Sequence, residues 1–217
     1  SIQQKKYLPR IILYPLASFI GFLEKIFVSC FSGVIIAEKY YAERFPKAIP
    51  VLNYPILNDS NPINSLAPSV YLSKKYRWCL YTGVISPDRG ALNHINVMTK
   101  DNEIGICMIG RCESGLYNAL FDKIDKKCIA RDRLVIVGKD KYVQKNEMVS
   151  IVKNNSWLAG LAVFPKTAHY EKKELTKLFE YMQDGLPVIA SDFPVWRRLI
   201  EGCKCGLLVQ PANHQEL

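Results

Sequence analysis

Residues 177–195 read Lys-Leu-Phe-Glu-Tyr-Met-Gln-Asp-Gly-Leu-Pro-Val-Ile-Ala-Ser-Asp-Phe-Pro-Val, and this stretch decides the fold. Its first half predicts a short amphipathic helix that ends near Gly185. The apolar face of this helix carries Leu178, Phe179 and Met182. The apolar run Leu186 to Ala190 follows at once and predicts a buried strand that ends at Ser191 and Asp192. A helix that leads directly into a buried strand is typical of an α/β fold.

The start of this helix is a suitable place for an anion. The first N–H groups of a helix are unpaired and carry the positive end of its dipole, so a diphosphate can bind there. Thr176 and Lys177 would add a hydroxyl and a cation. Glu180, one turn further, could accept two hydrogen bonds from vicinal ribose hydroxyls. The spacing therefore indicates a nucleotide-sugar site, and an ordinary solvated role for Glu180 remains the alternative.

Six apolar runs alternate with helical segments from Arg77 onward, which predicts a doubly wound parallel sheet. The runs are Trp78–Thr82, Ile104–Ile109, Leu134–Val137, Leu161–Phe164, Pro187–Ala190 and Gly206–Val209. Ligands of such sheets bind at the carboxyl ends of the strands. The loops after these strands are therefore the predicted location of function.

The first residues predict a smaller α/β segment followed by a linker. Helices are expected at 16–31 and 38–45, and short strands at 33–37 and 51–54. The turn-rich residues 57–69 show no sustained period and predict a linker. We therefore expect the end of one Rossmann-like domain at 1–56, the linker at 57–69 and a second, nucleotide-sugar-binding Rossmann-like domain at 70–217.

Glycines and basic residues mark the predicted strand ends. Gly83, Gly110 and Gly138 each follow an apolar run, where a missing side chain lets the backbone approach a ligand. Basic residues lie near these glycines and in the loop after the fourth strand. They are Arg89, Arg111, Lys139, Lys166, His169, Lys172 and Lys173. Arg89 is a natural phosphate ligand.

Composition limits the partners and the compartment. The net charge of +9 favours phosphorylated ligands, an anionic membrane face or nucleic acid. Nucleic acid is the least supported, because no helix-turn-helix, zinc finger or RNA-binding motif accompanies the charge. The 7 cysteines are odd in number and predict reduced residues of a cytoplasmic protein. Cys203 and Cys205 lack partners at ligand spacing, so no metal is expected.

The apolar runs near the start of the sequence could belong to a helix that contacts a membrane. Residues 11–23 and 26–37 are separated by Glu24 and Lys25, and each is shorter than the roughly 20 residues of a membrane span. The pattern predicts either a helix packed on its own domain or, from its mixed aromatic and basic residues, a helix lying on a membrane surface. We also expect the chain to be a fragment, because it begins at Ser1 and ends in what reads as the start of another helix.

These stretches resemble the donor-binding half of family 4 glycosyltransferases, the bacterial surface-polysaccharide enzymes in particular. The resemblance is strongest over 176–211 and covers nearly the whole chain. It includes Tyr81-Thr-Gly-Val-Ile-Ser-Pro-Asp-Arg-Gly90, Thr176-Lys-Leu-Phe-Glu-Tyr-Met182 and Gly206-Leu-Leu-Val-Gln-Pro211. It implies a GT-B fold and retaining transfer of a sugar, without an essential metal, from a nucleotide donor to a lipid-linked or saccharide acceptor.

The resemblance also implies roles for individual residues. Arg89 and Lys177 would hold the diphosphate, with helix contacts from Thr176 and Leu178, and Glu180 would bind ribose. Gly138 and Lys139 would border the base. Apart from the resemblance, the loop position of His169 indicates either a contact with a hydroxyl of the donor sugar or an ordinary surface histidine, and Lys172 stands at the position of the family's sugar contact. The location would be cytoplasmic, on the inner face of the membrane.

Two positions depart from the family pattern. Lys172 stands where the family often has a glutamate, and Val84 stands where it often has a basic residue. A catalytically degenerate module that acts with another subunit is therefore the alternative function, and a nucleotide-sugar epimerase is the rival within enzymes. His94 and His214 show no arrangement for acid–base catalysis.

Overall fold

The computed structural model describes residues 9–55 and 70–210. Internal contacts divide the chain into two units, residues 1–53 and 54–217. The predicted linker at 57–69, Pro211 and His214 lie outside the described residues, so the predicted domain boundary stays a prediction.

The first unit contains one long helix and a pair of parallel strands. Helix α1 spans Arg10–Cys30, strands β1 and β2 are Ile35–Ile36 and Ile49–Pro50, and a 3₁₀ turn covers Lys39–Glu43. The helix expected at 16–31 is confirmed but begins earlier, at Arg10, so the two apolar runs that were expected to be too short for a membrane span are joined in one helix through Glu24 and Lys25. The charge of Glu24 is satisfied by an ion pair with Arg44, so it does not interrupt the helix.

Two other predictions for this unit were wrong in detail. The second helix, expected at 38–45, is only the 3₁₀ turn, and the closing strand lies at 49–50 rather than 51–54. Strand β2 is placed by its parallel pairing, in which Ile49 lies opposite Ile35. The position of a two-residue strand depends on that partner and not on its own apolar pattern.

The second unit is a six-stranded parallel sheet with helical connections. Its strands are β3 Arg77–Thr82, β4 Ile104–Cys112, β5 Leu134–Lys139, β6 Ala159–Ala162, β7 Val188–Ser191 and β8 Gly206–Val209. Its helices are α2 Ala91–Met98, α3 Ser114–Lys126, α4 Lys145–Lys153, α5 Ala168–Lys172, α6 Thr176–Gln183 and α7 Pro194–Cys203. The strand order β5-β4-β3-β6-β7-β8 is that of a doubly wound sheet, which confirms the predicted fold class.

The strand order fixes where a crevice opens. The chain steps from β3 to β4 to β5 in one direction and from β6 to β7 to β8 in the other. Parallel crossovers are right-handed, so this reversal places α2 and α3 on one face and α6 and α7 on the other. The helices therefore separate at the carboxyl ends of β3 and β6, where ligands of such sheets bind.

Gly110 and Gly138, which were expected to follow their strands, lie within them. β4 continues past Gly110 to Cys112, and β5 continues past Gly138 to Lys139. A Cβ on Gly110, whose φ is 148°, would lie 2.0 Å from the Gly83 carbonyl oxygen, and one on Gly138 would lie 2.5 Å from that of Gly110. The close approach of neighbouring backbones accounts for both glycines, and their contact with a ligand stays a prediction.

Helix α6 has the predicted bounds but buries a different face. Leu178 and Tyr181 are buried, and Phe179 and Met182 are half-buried. Lys177 is also buried, although a lysine at a helix start is usually solvated. The buried face of α6 therefore carries a positive charge to the edge of the sheet.

Candidate functional site

The candidate site lies at the crevice between β3 and β6. The Lys177 ammonium reaches across from α6 and donates a hydrogen bond to Oγ1 of Thr82, the last residue of β3, at 3.3 Å. A Cβ on Gly83 would lie 3.3 Å from Lys177 Nζ and 3.8 Å from Arg89 Nη1. The structure thus brings together Gly83, Arg89 and Lys177. The sequence analysis predicted that these residues, which come from separate stretches, share one site.

Lys177 is enclosed by aromatic rings. Its residue is 8% exposed, and Nζ lies 4.5 Å from the ring centroid of Tyr81 and 5.7 Å from that of Tyr181. No carboxylate of the described residues forms an ion pair with it. The ring faces attract the cation without neutralising it. The described residues therefore supply no carboxylate to neutralise Lys177 when it is protonated.

The pKa of Lys177 reflects this environment. Burial lowers it to about 7, attraction by Glu180 opposes the change, and the Arg89 guanidinium adds to it. A buried cation loses its hydration, so its charged form is disfavoured unless an anion is near. Lys177 therefore gains stabilisation from any anion that enters the crevice.

The two tyrosines also fix the loop that follows β3. Tyr181 accepts a hydrogen bond from the Thr82 amide at 3.2 Å, and the Tyr81 hydroxyl donates to the Val84 carbonyl oxygen at 2.8 Å. Burial raises the pKa of both tyrosines, so both stay neutral. Hydrogen bonds to two uncharged side chains therefore fix residues 82–84, and Lys177 and Arg89 approach the same loop.

His94 is a buried member of the cluster that sequence reasoning did not place there. Its Nε2 accepts a hydrogen bond from the Val163 amide at 3.1 Å, and its ring packs against Tyr81 with centroids 4.7 Å apart. Burial, followed by repulsion from Lys177, lowers its pKa to about 3. His94 is therefore a neutral imidazole that supports Tyr81 from the α2 side. A lone histidine in a helical pattern carries no sequence signal of burial.

The helix N-termini along the sheet edge differ in how they are capped. Asp140 accepts hydrogen bonds from the Ser114 amide and hydroxyl at the start of α3, and the Thr167 hydroxyl accepts one from Tyr170 at the start of α5. The N-cap residue of α6, Leu175, offers no side-chain hydrogen bond. An anion at α3 would meet the Asp140 carboxylate, whereas one at α6 would meet Lys177.

The remaining predicted contacts at α6 differ in accessibility. Glu180 is exposed one turn along the helix, as a ribose ligand must be. Thr176 is half-buried at the helix start. Leu178 is fully buried and its amide donates to the Leu175 carbonyl oxygen at 3.0 Å, so a diphosphate contact would compete with that bond.

The other predicted ligand contacts lie on neighbouring loops. Gly138 and Lys139 end β5, two strands from β3, and the Lys139 ammonium lies 4.4 Å from the Tyr117 ring centroid. His169 and Lys172 are exposed on α5. Their predicted contacts with base and sugar stay predictions.

No group of three or more His, Cys, Asp or Glu that could hold a metal occurs in residues 9–55 and 70–210. The expectation that no metal is needed stays a prediction.

Comparison with solved structures identifies the architecture. The chain superposes on sucrose-phosphate synthase from Thermosynechococcus elongatus with a TM-score of 0.63 and 16% identity, covering 89% of this chain and 49% of that one. It superposes on Anabaena HepE in complex with UDP and glucose with a TM-score of 0.59 and 15% identity, covering 85% and 51%. The chain has the fold of one Rossmann-like half of these GT-B structures.

A third GT-B structure, the lipopolysaccharide outer core galactosyltransferase WaaB, gives a TM-score of 0.50 at 16% identity and covers 85% of this chain and 50% of that one. The chain thus spans about half the length of these GT-B structures. No protein-family model matches the sequence, and no curated protein sequence matches it significantly.

The pKa of His94 predicts how stability depends on pH. The unfolded imidazole takes up a proton near pH 6.5 but the folded one only near pH 3, so acid favours the unfolded chain. From pH 6.5 downward, His94 should cost about 1.4 kcal/mol of unfolding free energy per pH unit. Substitution His94→Gln keeps an acceptor for Val163 but cannot titrate, so its stability should fall less steeply.

Urea unfolding between pH 7 and pH 4 measures this difference. Fluorescence follows the second unit, because all 3 tryptophans, at 78, 157 and 196, lie within it. Other acid-sensitive groups are common to both proteins and cancel in the comparison. Equal slopes in the two proteins would show that His94 is not kept neutral by the fold.

Proposed function

We propose that this chain is the donor-binding half of a glycosyltransferase that transfers a sugar from a nucleoside-diphosphate donor. The observation that carries the proposal is the buried Lys177 ammonium, which has no carboxylate partner and faces Gly83 at the crevice. A buried charge without a partner costs stability, so its presence at a ligand-binding edge is best explained by an anionic ligand. The half-buried Arg89 approaches the same loop and supplies a second cation.

The arrangement suits a diphosphate more than a single phosphate. Lys177 and Arg89 both approach Gly83, so two cations are available to one ligand, and the start of α6 adds the positive end of a helix dipole. Glu180, one turn along, would accept the ribose hydroxyls. A bound nucleoside diphosphate would then extend from Gly83 toward the exposed face of α6.

The same groups support the chemistry of sugar transfer. When the bond between sugar and diphosphate breaks, negative charge develops on the leaving phosphate oxygen. Fixed cations in a partly dehydrated crevice stabilise that charge in the transition state, without a metal. Lys177 and Arg89 would fill this role, and the sugar and acceptor would be positioned from the other half of the enzyme.

The comparisons support a particular class of donor. HepE was solved with UDP and with UDP-glucose, and WaaB is a galactosyltransferase. We therefore propose a UDP-linked hexose as the first donor to test. The resemblance to family 4 extends the proposal to retaining transfer onto a lipid-linked or saccharide acceptor, in synthesis of a capsule or lipopolysaccharide.

A degenerate binding module is the competing proposal. Lys172 and Val84 favour it, because they depart from the family pattern at positions near the donor. The Lys177 and Arg89 pair favours the enzyme, since a module without donor chemistry has no need of an unneutralised buried cation. Nucleotide affinity and transfer activity separate the two.

We also propose that the protein is cytoplasmic and contacts the inner face of the membrane through α1. Residues Ile11–Cys30 form a helix of mean hydropathy 1.8, long and apolar enough to cross a bilayer. Large exposed side chains along α1 include Phe19 (58%), Phe22 (60%) and Phe27 (57%). An apolar helix in a protein of charge +9 suits an anionic bilayer surface, the kind of surface that carries lipid-linked acceptors.

Calorimetric titration with UDP, GDP, ADP and CMP tests the donor site. One diphosphate should bind preferentially, and Lys177→Met should weaken it at least about tenfold, because a charge-assisted hydrogen bond contributes about 1.5–3 kcal/mol. Glu180→Ala should weaken nucleotide binding without affecting inorganic pyrophosphate. Glu201→Ala, which removes an exposed carboxylate at the far end of α7, is the matched control. A folded protein that binds none of these ligands would contradict the proposal.

Sedimentation with lipid vesicles tests the membrane contact. The protein should bind vesicles of phosphatidylcholine with phosphatidylglycerol more tightly than vesicles of phosphatidylcholine alone. The double substitution Phe22→Ser and Phe27→Ser should lower binding at least about tenfold, since a buried Phe side chain contributes about 1.5–3 kcal/mol. Tyr142→Ser removes an aromatic ring that is 71% exposed in the other unit and should change little. Binding unaffected by the double substitution would exclude α1 as the contact.

A further inference from the structure

The surroundings of Lys177 suit an ammonium group only when an anion is present. Its residue is 8% exposed, and the one hydrogen bond that it donates to described residues goes to the Thr82 hydroxyl. The rings of Tyr81 and Tyr181 cover its other sides. A neutral amine could occupy the same position and keep the hydrogen bond with Thr82, because it still has N–H donors. None of these contacts with described residues therefore requires Lys177 to be in the ammonium form.

The charged and titratable groups that face Lys177 come from four elements. Tyr81 on β3, His94 on α2 and Tyr181 on α6 are all neutral, because burial raises the pKa of the two tyrosines and lowers that of the histidine. Two charged groups remain. Arg89, on the 3₁₀ turn Pro87–Arg89, repels the ammonium, and Glu180, on α6 itself, attracts it.

These two charges are not equivalent to an ion pair. Glu180 is exposed, and water screens its attraction. The Arg89 guanidinium approaches the same point above Gly83 and repels the ammonium. The loss of hydration therefore dominates, and the pKa of Lys177 falls to about 7.

An anion above Gly83 reverses this balance. It would lie against both cations in a site that bulk water reaches poorly, so its attraction exceeds that of the exposed Glu180. The ammonium form then becomes the stable one, and the neutral amine would leave a phosphate oxygen without its donor. The occupied and empty states of the crevice therefore favour different protonation states of Lys177.

We propose that the diphosphate and one proton bind together, so that Lys177 is partly neutral in the empty crevice and fully protonated in the complex. The proton comes from solvent and adds to the lone pair of Nζ, and the resulting ammonium donates to the diphosphate. This inference rests on the proposed nucleotide site and adds a property that the site need not have.

Proton-linked binding has a thermodynamic consequence. Because the linkage is reciprocal, an anion that raises the pKa of Lys177 is bound more tightly by the protonated protein. Above about pH 7, affinity should fall about tenfold for each pH unit, until the pKa of the complex is reached. Donor binding would then be strongest on the acid side of neutrality.

Calorimetry with UDP at pH 8, in buffers of different ionisation enthalpy, counts the protons taken up. The terminal phosphate of UDP, with a pKa of about 6, is already deprotonated at this pH. We expect uptake of nearly one proton by the wild-type protein. Lys177→Arg, which stays charged, should bind UDP with uptake near zero and with an affinity that hardly changes between pH 7 and pH 8.5. Lys153→Arg, at an exposed position on α4, is the matched control.

Nuclear magnetic resonance of the ligand-free protein provides an independent measurement. With lysine labelled at the side-chain carbons, the resonance that is absent from Lys177→Arg should titrate near pH 7. This measurement does not depend on whether the variant binds nucleotide. A Lys177 resonance that titrates near pH 10 would overturn the inference.

The outcomes separate this inference from the proposed function. Binding of UDP without proton uptake, or with equal uptake in Lys177→Arg, overturns the inference and leaves the nucleotide site in place. Failure of a folded protein to bind any nucleoside diphosphate overturns both.

Discussion

The contact between the Lys177 ammonium and the end of β3 is the interaction on which the site depends. It joins a helix on one face of the sheet to a strand at the point where the strand order reverses. Tyr181 holds the Thr82 amide and Tyr81 holds the Val84 carbonyl, so the loop that receives the cation is fixed by the same cluster. His94 supports Tyr81 from the other face. A charge at the crevice is thus built into the packing of both helical layers.

The cluster around Lys177 lowers the free energy of unfolding when no anion is bound. A dehydrated ammonium without a carboxylate is unfavourable, and a carboxylate at the same place would relieve it. It would also repel a diphosphate. Aromatic faces attract the cation without competing with the ligand, because they carry no net negative charge. The combination of Lys177 with two tyrosines therefore suits reversible anion binding better than a buried ion pair would.

The sequence predicted the features that depend on short-range pattern. Buried parallel strands are continuous apolar runs, so all six were found, with ends within a few residues of those observed. Helix α6 began where its apolar spacing indicated, and Gly83, Arg89 and Lys177 were assigned to one site. Helix α1 was expected at 16–31 but begins at Arg10, because the first apolar run, read apart from the second, belongs to the same helix.

The features that arise from packing could not be read from the chain. Nothing near Lys177 in sequence shows that its side chain is enclosed, since Tyr81 and Thr82 are about a hundred positions away. The burial of His94 likewise depends on Tyr81 in β3 and on Val163, which directly follows β6. The roles of Gly110 and Gly138 depend on neighbouring strand backbones. The local sequence pattern identified the candidate residues, and tertiary contacts determine their burial and their pKa values.

A crystal structure of the protein with a bound nucleoside diphosphate tests the central claim most directly. The account predicts that the diphosphate lies above Gly83, with phosphate oxygens within hydrogen-bonding distance of Lys177 Nζ and Arg89, and with the ribose directed toward Glu180. A diphosphate bound at another strand end, with Lys177 still enclosed by Tyr81 and Tyr181 and contacting no ligand atom, would contradict it.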